Sequence, residues 1–212
     1  MINLKSDKFF TQEEKIKIKQ TIHDVESRTI GEVAVMVVDS SDHYAEADAI
    51  GGIFLGSLIS LIVIATYFHS SVWFFIPINF LLFFPSKLIF KKLPVFKTAF
   101  IGIKRKEEAV RLRAERAFFE KGLYKTKKNT GVLFFLSLLE KKVWVLADKG
   151  IYEKIEQGPL NKFALVVSEG IKNRCACDVL CDAIREAGEL LAAHFPIVPG
   201  DTDELTNNVM AE

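Results

Sequence analysis

Residues 49–86 read AIGGIFLGSLISLIVIATYFHSSVWFFIPINFLLFFPS, 38 consecutive positions without Lys, Arg, Asp or Glu. The run divides at His69-Ser70-Ser71 into two apolar segments, Ile50 to Phe68 and Val72 to about Ile89. A bilayer core of ~30 Å asks for roughly 20 apolar residues in a helix. A charge at its centre costs about 2.5–3.5 kcal/mol on insertion scales. Both segments meet these terms, so the stretch reads as a transmembrane helical hairpin with soluble-type sequence on either side. The second segment is interrupted by Pro77 and Pro85 and ends against Lys87, so a kinked or re-entrant form is the alternative for it. A buried helical hairpin of a soluble protein is the third reading, and an uncharged run of this length is hard to place inside a small domain. Gly52 and Gly56 form a G-x-x-x-G, which lets helices approach closely in a membrane. That spacing suits a second copy of the chain, or packing against the second segment. Tyr67 and Trp73 flank the connection, where interfacial aromatics are expected.

Orientation follows from the flanks. Lys87, Lys91, Lys92, Lys97, Lys104, Arg105 and Lys106 follow the second segment, and Lys and Arg near a span favour the cytoplasmic side. Two spans put both soluble pieces on that side. MINLKSDKFF at the start has no apolar h-region. The expectation is an integral protein of the inner (cytoplasmic) membrane with a cytoplasmic soluble domain.

The chain has 212 residues and a net charge of +1, which gives no polybasic case for nucleic acid. Removing the membrane run leaves enough for one modest domain. The three cysteines, Cys175, Cys177 and Cys181, cluster in one segment. An odd, clustered set is not a disulfide scaffold. Cys177 and Cys181, one helical turn apart, are read as free thiols; a shared metal is the other option.

Outside the hairpin the chain alternates helix and strand. Thr11 and Glu14 make a capping box before a helix over about Gln12 to Arg28, and EVAVMVVD, Glu32 to Asp39, reads as a strand covered on both faces. Lys104 to Lys121 is a charged helix with Val110, Ala114, Ala117 and Phe118 on one stripe, stopped by Gly122. Its basic start suits anionic headgroups or simply water. Gly131 to Leu139 and Val143 to Asp148 form a β-hairpin across Glu140-Lys141-Lys142. Pro159 is placed at the first position of the next helix, closed by Asn173. Asp178 to His194 is the last helix, with Pro196 and Pro199 beyond it, and the acidic tail GDTDELTNNVMAE is expected to be loosely held. The fold class is α/β: a small mixed β-sheet with helices on both faces, an α/β/α sandwich, interrupted by the transmembrane helical hairpin. The segments are 1–48, 49–93 for the hairpin, 94–196, and a tail at 197–212.

Several stretches carry a resemblance. AERAFFEKGLYKT at 114–126 leads into NTGVLFFLSL at 129–138 and then VWVLADKGI at 143–151; upstream, TQEEKIKIKQTIHDVESRTIGEVAVMVV spans 11–38. Together these resemble the TPM domain family, over about Phe10 to Phe195 without the hairpin. Members of that family are described as acid phosphatases, as calcium-binding modules and as assembly or repair factors for membrane complexes. The resemblance implies those activities here only as expectations. The chain departs from the familiar pattern in carrying the two spans between its first strand and second helix.

The residues themselves offer little standard chemistry. No cysteine has Arg six residues on, and no G-x-x-x-x-G-K-[ST], G-x-S-x-G or H-E-x-x-H is present. Asp201-Thr202-Asp203 has a D-x-D spacing but falls in the polar tail. The remaining candidate is Asp148-Lys149-Gly150, directly after a strand, where α/β sheets tend to hold ligands. Asn129 and Gly131 are expected at the same end of the hairpin. Asp148 offers a hard oxygen to Ca²⁺ or Mg²⁺, Gly150 lets backbone donors face an anion, and Asp39 adds a second carboxylate if the first strand parallels the third. The plain alternative is a turn in which Asp148 bonds the following backbone. Glu32 and Glu140 are read as surface carboxylates at other strand ends.

Three functions follow. The leading one is a membrane-anchored interaction or assembly module, with the lipid bilayer and a protein as partners; a homo-oligomer is one form of the latter. The others are a divalent-metal-dependent, acid-phosphatase-like hydrolase centred on Asp148, and a calcium-binding domain without turnover.

Overall fold

The computed structural model describes residues 5–67, 72–126, 128–198 and 207–212. The His69-Ser70-Ser71 connection, Phe68, Pro199 and Asp201-Thr202-Asp203 lie outside the described residues. The chain divides into two compact units, Met1–Ser41 with Glu107–Glu212, and Asp42–Lys106.

The first unit is the α/β part. Helix α1 (Gln12–Glu26) starts at the capping box: Glu14 N–H donates to Thr11 Oγ1 at 3.2 Å, and Thr11 N–H to Glu14 Oε2 at 2.7 Å. Strand β1 (Glu32–Val38) is buried along its whole length. The chain then leaves for the second unit, made of α2 (Ala45–Tyr67), α3 (Phe75–Lys91) and α4 (Pro94–Lys97), and comes back along α5 (Ile103–Glu120). Gly122 stops α5 in the left-handed region, with φ +74°. Strands β2 (Gly131–Ser137) and β3 (Lys142–Ala147) follow, then α6 (Lys149–Tyr152), α7 (Gln157–Asn173), α8 (Ala176–His194) and β4 (Met210–Ala211).

These strands form one mixed sheet in the order β3-β2-β1-β4. β1 and β2 run parallel from Glu32↔Gly131 to Val38↔Ser137, β2 and β3 run antiparallel, and β4 joins β1 in parallel. Alternation along each strand splits the core in two. Val33, Val35, Val37, Phe134 and Leu136 face α1, α7 and α8. Ala34, Met36, Leu133 and Phe135 face Val110, Ala114, Ala117 and Phe118 of α5.

Three expectations for this unit are corrected. Pro159 is the third residue of α7, not the first; Glu156 precedes the helix, and Arg174, at φ +62°, ends it. The final residues are not loose: Met210–Ala211 extends the sheet, Asp39 N–H donates to the Glu212 carbonyl at 3.1 Å, and Arg113 pairs with the Glu212 side chain at 2.6 Å. Glu32 and Glu140 are both buried, at 5% and 7% exposure, rather than surface carboxylates.

The second unit is built on α2 against α3. Gly51, Gly52 and Gly56 set the distance between them. A Cβ on Gly52 would lie 2.9 Å from the Lys87 backbone, one on Gly51 would enter the Phe90 ring, and one on Gly56 would meet Asn79 Oδ1 at 3.4 Å. The G-x-x-x-G is thus filled by α3 of the same chain. Ser57 and Asn79 add a polar link, Nδ2 to Oγ at 2.6 Å. Pro77 falls in the first turn of α3, where a missing N–H is harmless, and Pro85 lies inside the helix. Among the described residues one helix, Ala45–Tyr67, is long and apolar enough to cross a membrane; α3 has 17 residues. Charges gather at the base. Lys97 pairs with Asp48 at 2.9 Å, both largely buried, and donates to the His43 carbonyl. Arg105 binds Asp42, reaches Glu46 at 3.2 Å and lies over the Tyr44 ring. Burial pushes the Asp42 carboxyl up, but the Arg105 guanidinium and the His43 N–H outweigh it, so it titrates below the ordinary value.

Two glycines give a stability test within the first unit. A Cβ on Gly188 would lie 2.6 Å from the Val25 methyls, at the α1–α8 contact, while Gly158 faces open space. Gly188→Ala is expected to cost about 1–3 kcal/mol by overpacking. Gly158→Ala is expected to be neutral or slightly stabilising, since Ala favours helix. Thermal unfolding followed by circular dichroism measures both.

Candidate functional site

The sheet has two ends, and the directions of its strands decide what each holds. At one end β2 begins and β3 finishes. Asp148 N–H donates to the Gly131 carbonyl at 2.9 Å, so Asn129, Gly131, Asp148 and Gly150 are neighbours. Asp148 is the cap of α6: its Oδ1 accepts from Lys149 N–H at 2.7 Å and its carbonyl from Ile151 and Tyr152. Asn129 has a φ of +54°. A Cβ on Gly150 would lie 2.6 Å from the Asn129 carbonyl and 2.7 Å from that of Lys128, and one on Gly131 2.6 Å from the Leu123 carbonyl. Close backbone approach explains both glycines, and what faces Gly150 is carbonyl oxygen.

Asp39 is not part of this group. β1 parallels β2 and therefore opposes β3, so Asp39 follows the far end of the sheet, a strand's length of roughly 20 Å from Asp148. There its Oδ1 accepts from Ser6 N–H at 2.6 Å. The condition for Asp39 to add a second carboxylate beside Asp148 is thus not met. Among the described residues no group of three or more His, Cys, Asp or Glu is placed to hold a metal ion. Of the residues expected at this site, Asn129, Gly131, Asp148 and Gly150 stand together and Asp39 does not join them.

The other end, at the carboxyl termini of the parallel pair β1 and β2, is where open α/β sheets bind ligands. It holds a buried hydrogen-bonded chain. Glu140 Oε1 accepts from Ser41 N–H at 3.0 Å, and Glu140 Oε2 from the Ser137 hydroxyl. Ser41 Oγ and Ser137 Oγ are 2.7 Å apart. Ser137 has one hydroxyl proton, and it goes to the carboxylate. Ser41 therefore supplies the proton between the two hydroxyls. Ser137 is fully buried and Ser41 half-buried. The chain ties the exit of β1 to the turn between β2 and β3, and connects a half-buried hydroxyl to a buried carboxylate. The sequence signal for it is modest: a Ser shortly after the first apolar strand, a Ser closing the second, and a Glu before Lys141-Lys142.

The cysteines are separate from both ends. Cys177 and Cys181 lie on the buried face of α8, and Cys175, just before the helix, is exposed. Burial, with the neighbouring Cys181 thiol, pushes Cys177 up to about 12.

The chain is similar in fold to the solution structure of the BA42 protein from the psychrophilic bacterium Bizionia argentinensis, with a TM-score of 0.60 and 21% identity over 96% of each chain. At that identity the likeness concerns the fold. No protein-family model matches the chain, and no curated protein matches it in sequence.

Two outcomes test this geometry. Glu140→Gln leaves a single acceptor oxygen for two buried donors and is expected to cost about 1–3 kcal/mol, read by thermal unfolding. At pH 8 a small maleimide is expected to label Cys175 alone in the folded chain and all three thiols after denaturation, because Cys177 and Cys181 are buried and only Cys175 is accessible; mass spectrometry counts the adducts.

Proposed function

We propose that the protein is a membrane-anchored, TPM-like interaction module: α2 and α3 form a hairpin in the inner membrane, and the α/β unit works at its cytoplasmic surface. One observation carries this reading. Only 28% of the apolar window of α2 is buried. The core helix of a soluble protein would be largely covered. Instead Ile53, Phe54, Leu61, Ile62 and, on α3, Ile76, Phe80, Leu81 and Phe84 are all more than half exposed. Apolar exposure on this scale marks a membrane or an interface. The interhelix side is closed by glycines, while Ser57 and Asn79 satisfy one another, as polar groups in lipid must. α3 has 17 residues, and the turn Val72–Phe74 extends it; at 1.5 Å per residue that is ~30 Å. The lysines after α3 support the inward orientation.

The partner half of the reading is supported by Leu112 and Phe119, two turns apart on α5, and Tyr124 beyond it. All three are exposed in the α/β unit, and the two rings lie 5.5 Å apart. Exposed aromatics beside arginines are typical of protein contact surfaces.

Sidedness provides the test. The protein is expected to remain in membranes extracted with alkaline carbonate. An impermeant maleimide is expected to label Cys175 in inside-out vesicles and not in right-side-out ones. Extraction into the soluble fraction, or labelling only from outside, would overturn the reading. For the partner half, a photoreactive residue at position 119 is expected to give a discrete adduct in intact membranes that is lost on Leu112→Glu; absence of any adduct counts against it.

A further inference from the structure

The connection from α3 to α5 has an apolar surface that its own packing does not use. The chain turns tightly after α3, where Lys92 N–H and Leu93 N–H donate to the Ile89 and Phe90 carbonyls. α4 and the single tight turn Thr98–Phe100 then fold back on the hairpin base. Phe100 packs on Phe90 and Phe54, with ring centroids 5.3 and 5.9 Å away, and Ile101 is buried. Lys97 is held by Asp48 and the His43 carbonyl. Lys106 Nζ donates to the Thr98 carbonyl at 2.7 Å. The segment is therefore fixed, and its inward-facing residues are satisfied. A second set points outward: Leu93, Val95, Phe96 and Ile103 are 40, 65, 63 and 71% exposed. Leu93, Val95 and Phe96 follow within a few residues on Leu88 and Ile89, which are also more than half exposed at the end of α3. Beside them Lys91, Lys92 and Lys104 are exposed, and their side chains make no ion pair or hydrogen bond among the described residues.

Fixed apolar side chains next to unpaired lysines match the two layers of a bilayer boundary. Apolar residues sink to the acyl level and basic ones meet anionic headgroups. Resting on the membrane anchor proposed above, we infer that residues 91–104 form an interfacial clamp: Leu93, Val95, Phe96 and Ile103 dip into the bilayer boundary, and Lys91, Lys92 and Lys104 hold anionic phospholipid headgroups. The occupant is the lipid of the same bilayer that receives the hairpin, because the segment follows directly on the exposed apolar end of α3 and is packed through Phe100 onto Phe90 and Phe54 of the hairpin.

Tryptophan quenching by brominated lipids in nanodiscs tests the clamp. The chain has two tryptophans, so a Trp144→Phe background isolates Trp73 beside the hairpin connection. Trp73→Phe with Trp144→Phe and Phe96→Trp isolates position 96. Phe96 and the three lysines are exposed, so these changes leave the packing intact. Bilayers mix phosphatidylglycerol with phosphatidylcholine, and either one carries the bromine. The expected result is quenching at both positions, with brominated phosphatidylglycerol several-fold more effective at position 96. That preference falls to none in Lys91→Gln/Lys92→Gln/Lys104→Gln and in 1 M salt. Quenching at Trp73 alone would overturn the clamp and leave the anchor standing. Equal quenching by the two lipids at position 96 would overturn headgroup binding. Quenching at neither position would overturn clamp and anchor together.

Discussion

The parallel pairing of β1 with β2 governs this molecule. Parallel neighbours cannot be joined by a tight turn. The chain that leaves β1 at Val38 must travel back before β2 starts at Gly131. Here α5 makes the return, laying Val110, Ala114, Ala117 and Phe118 on one face of the sheet. Everything from Asp42 to Lys106 is inserted before it. A crossover tolerates an insertion because its length is not fixed by the ladder it connects. Loop closure grows only slowly with length, and the sheet keeps its register whatever precedes α5. That is how one chain carries a self-contained α/β unit and an apolar hairpin in the middle of its sequence.

The same pairing sets the chemistry at each end of the sheet. Because β3 opposes β1, Asp148 and Asp39 are carried apart. Asp148 closes a one-turn helix and Asp39 ties down Ser6. Because β2 parallels β1, Ser41 and Ser137 arrive together, and Glu140 bridges them from the following turn. A buried carboxylate with two donors is well compensated. The second unit follows the same rule at its base, where Lys97 and Asp48 are buried as a pair.

Much of the fold was legible because its signals are local. The unbroken apolar run of EVAVMVV, the Thr11–Glu14 box, the stripe on α5 and the stop at Gly122 each depend on a few adjacent residues. What escaped depends on distant ones. Nothing near Asp39 tells which way β3 runs relative to β1, so the proposed carboxylate pair rested on an open condition that the topology decides against. Glu140 reads as a polar turn residue until Ser41, 99 positions away, is placed beside it. Met210–Ala211 is too short to show as a strand and acquires its form from the free edge of β1. Pro159 suits a first helical position by composition, and α7 begins two residues before it. The glycines of α2 were legible as close-packing residues, and the structure gives them α3 as their neighbour, with Gly51 the tightest of the three.

The central claim is that the outward faces of α2 and α3 meet lipid. Spin labels at Leu61, Phe80, Ser60 and Ile64, each placed singly in the full chain in nanodiscs, address it directly through collision with oxygen and with a water-soluble nickel chelate. Lipid contact predicts high oxygen and low nickel accessibility at 61 and 80. It predicts low values for both at 60 and 64, which are buried in the hairpin. High nickel accessibility at 61 and 80 would place those faces in water and contradict the account.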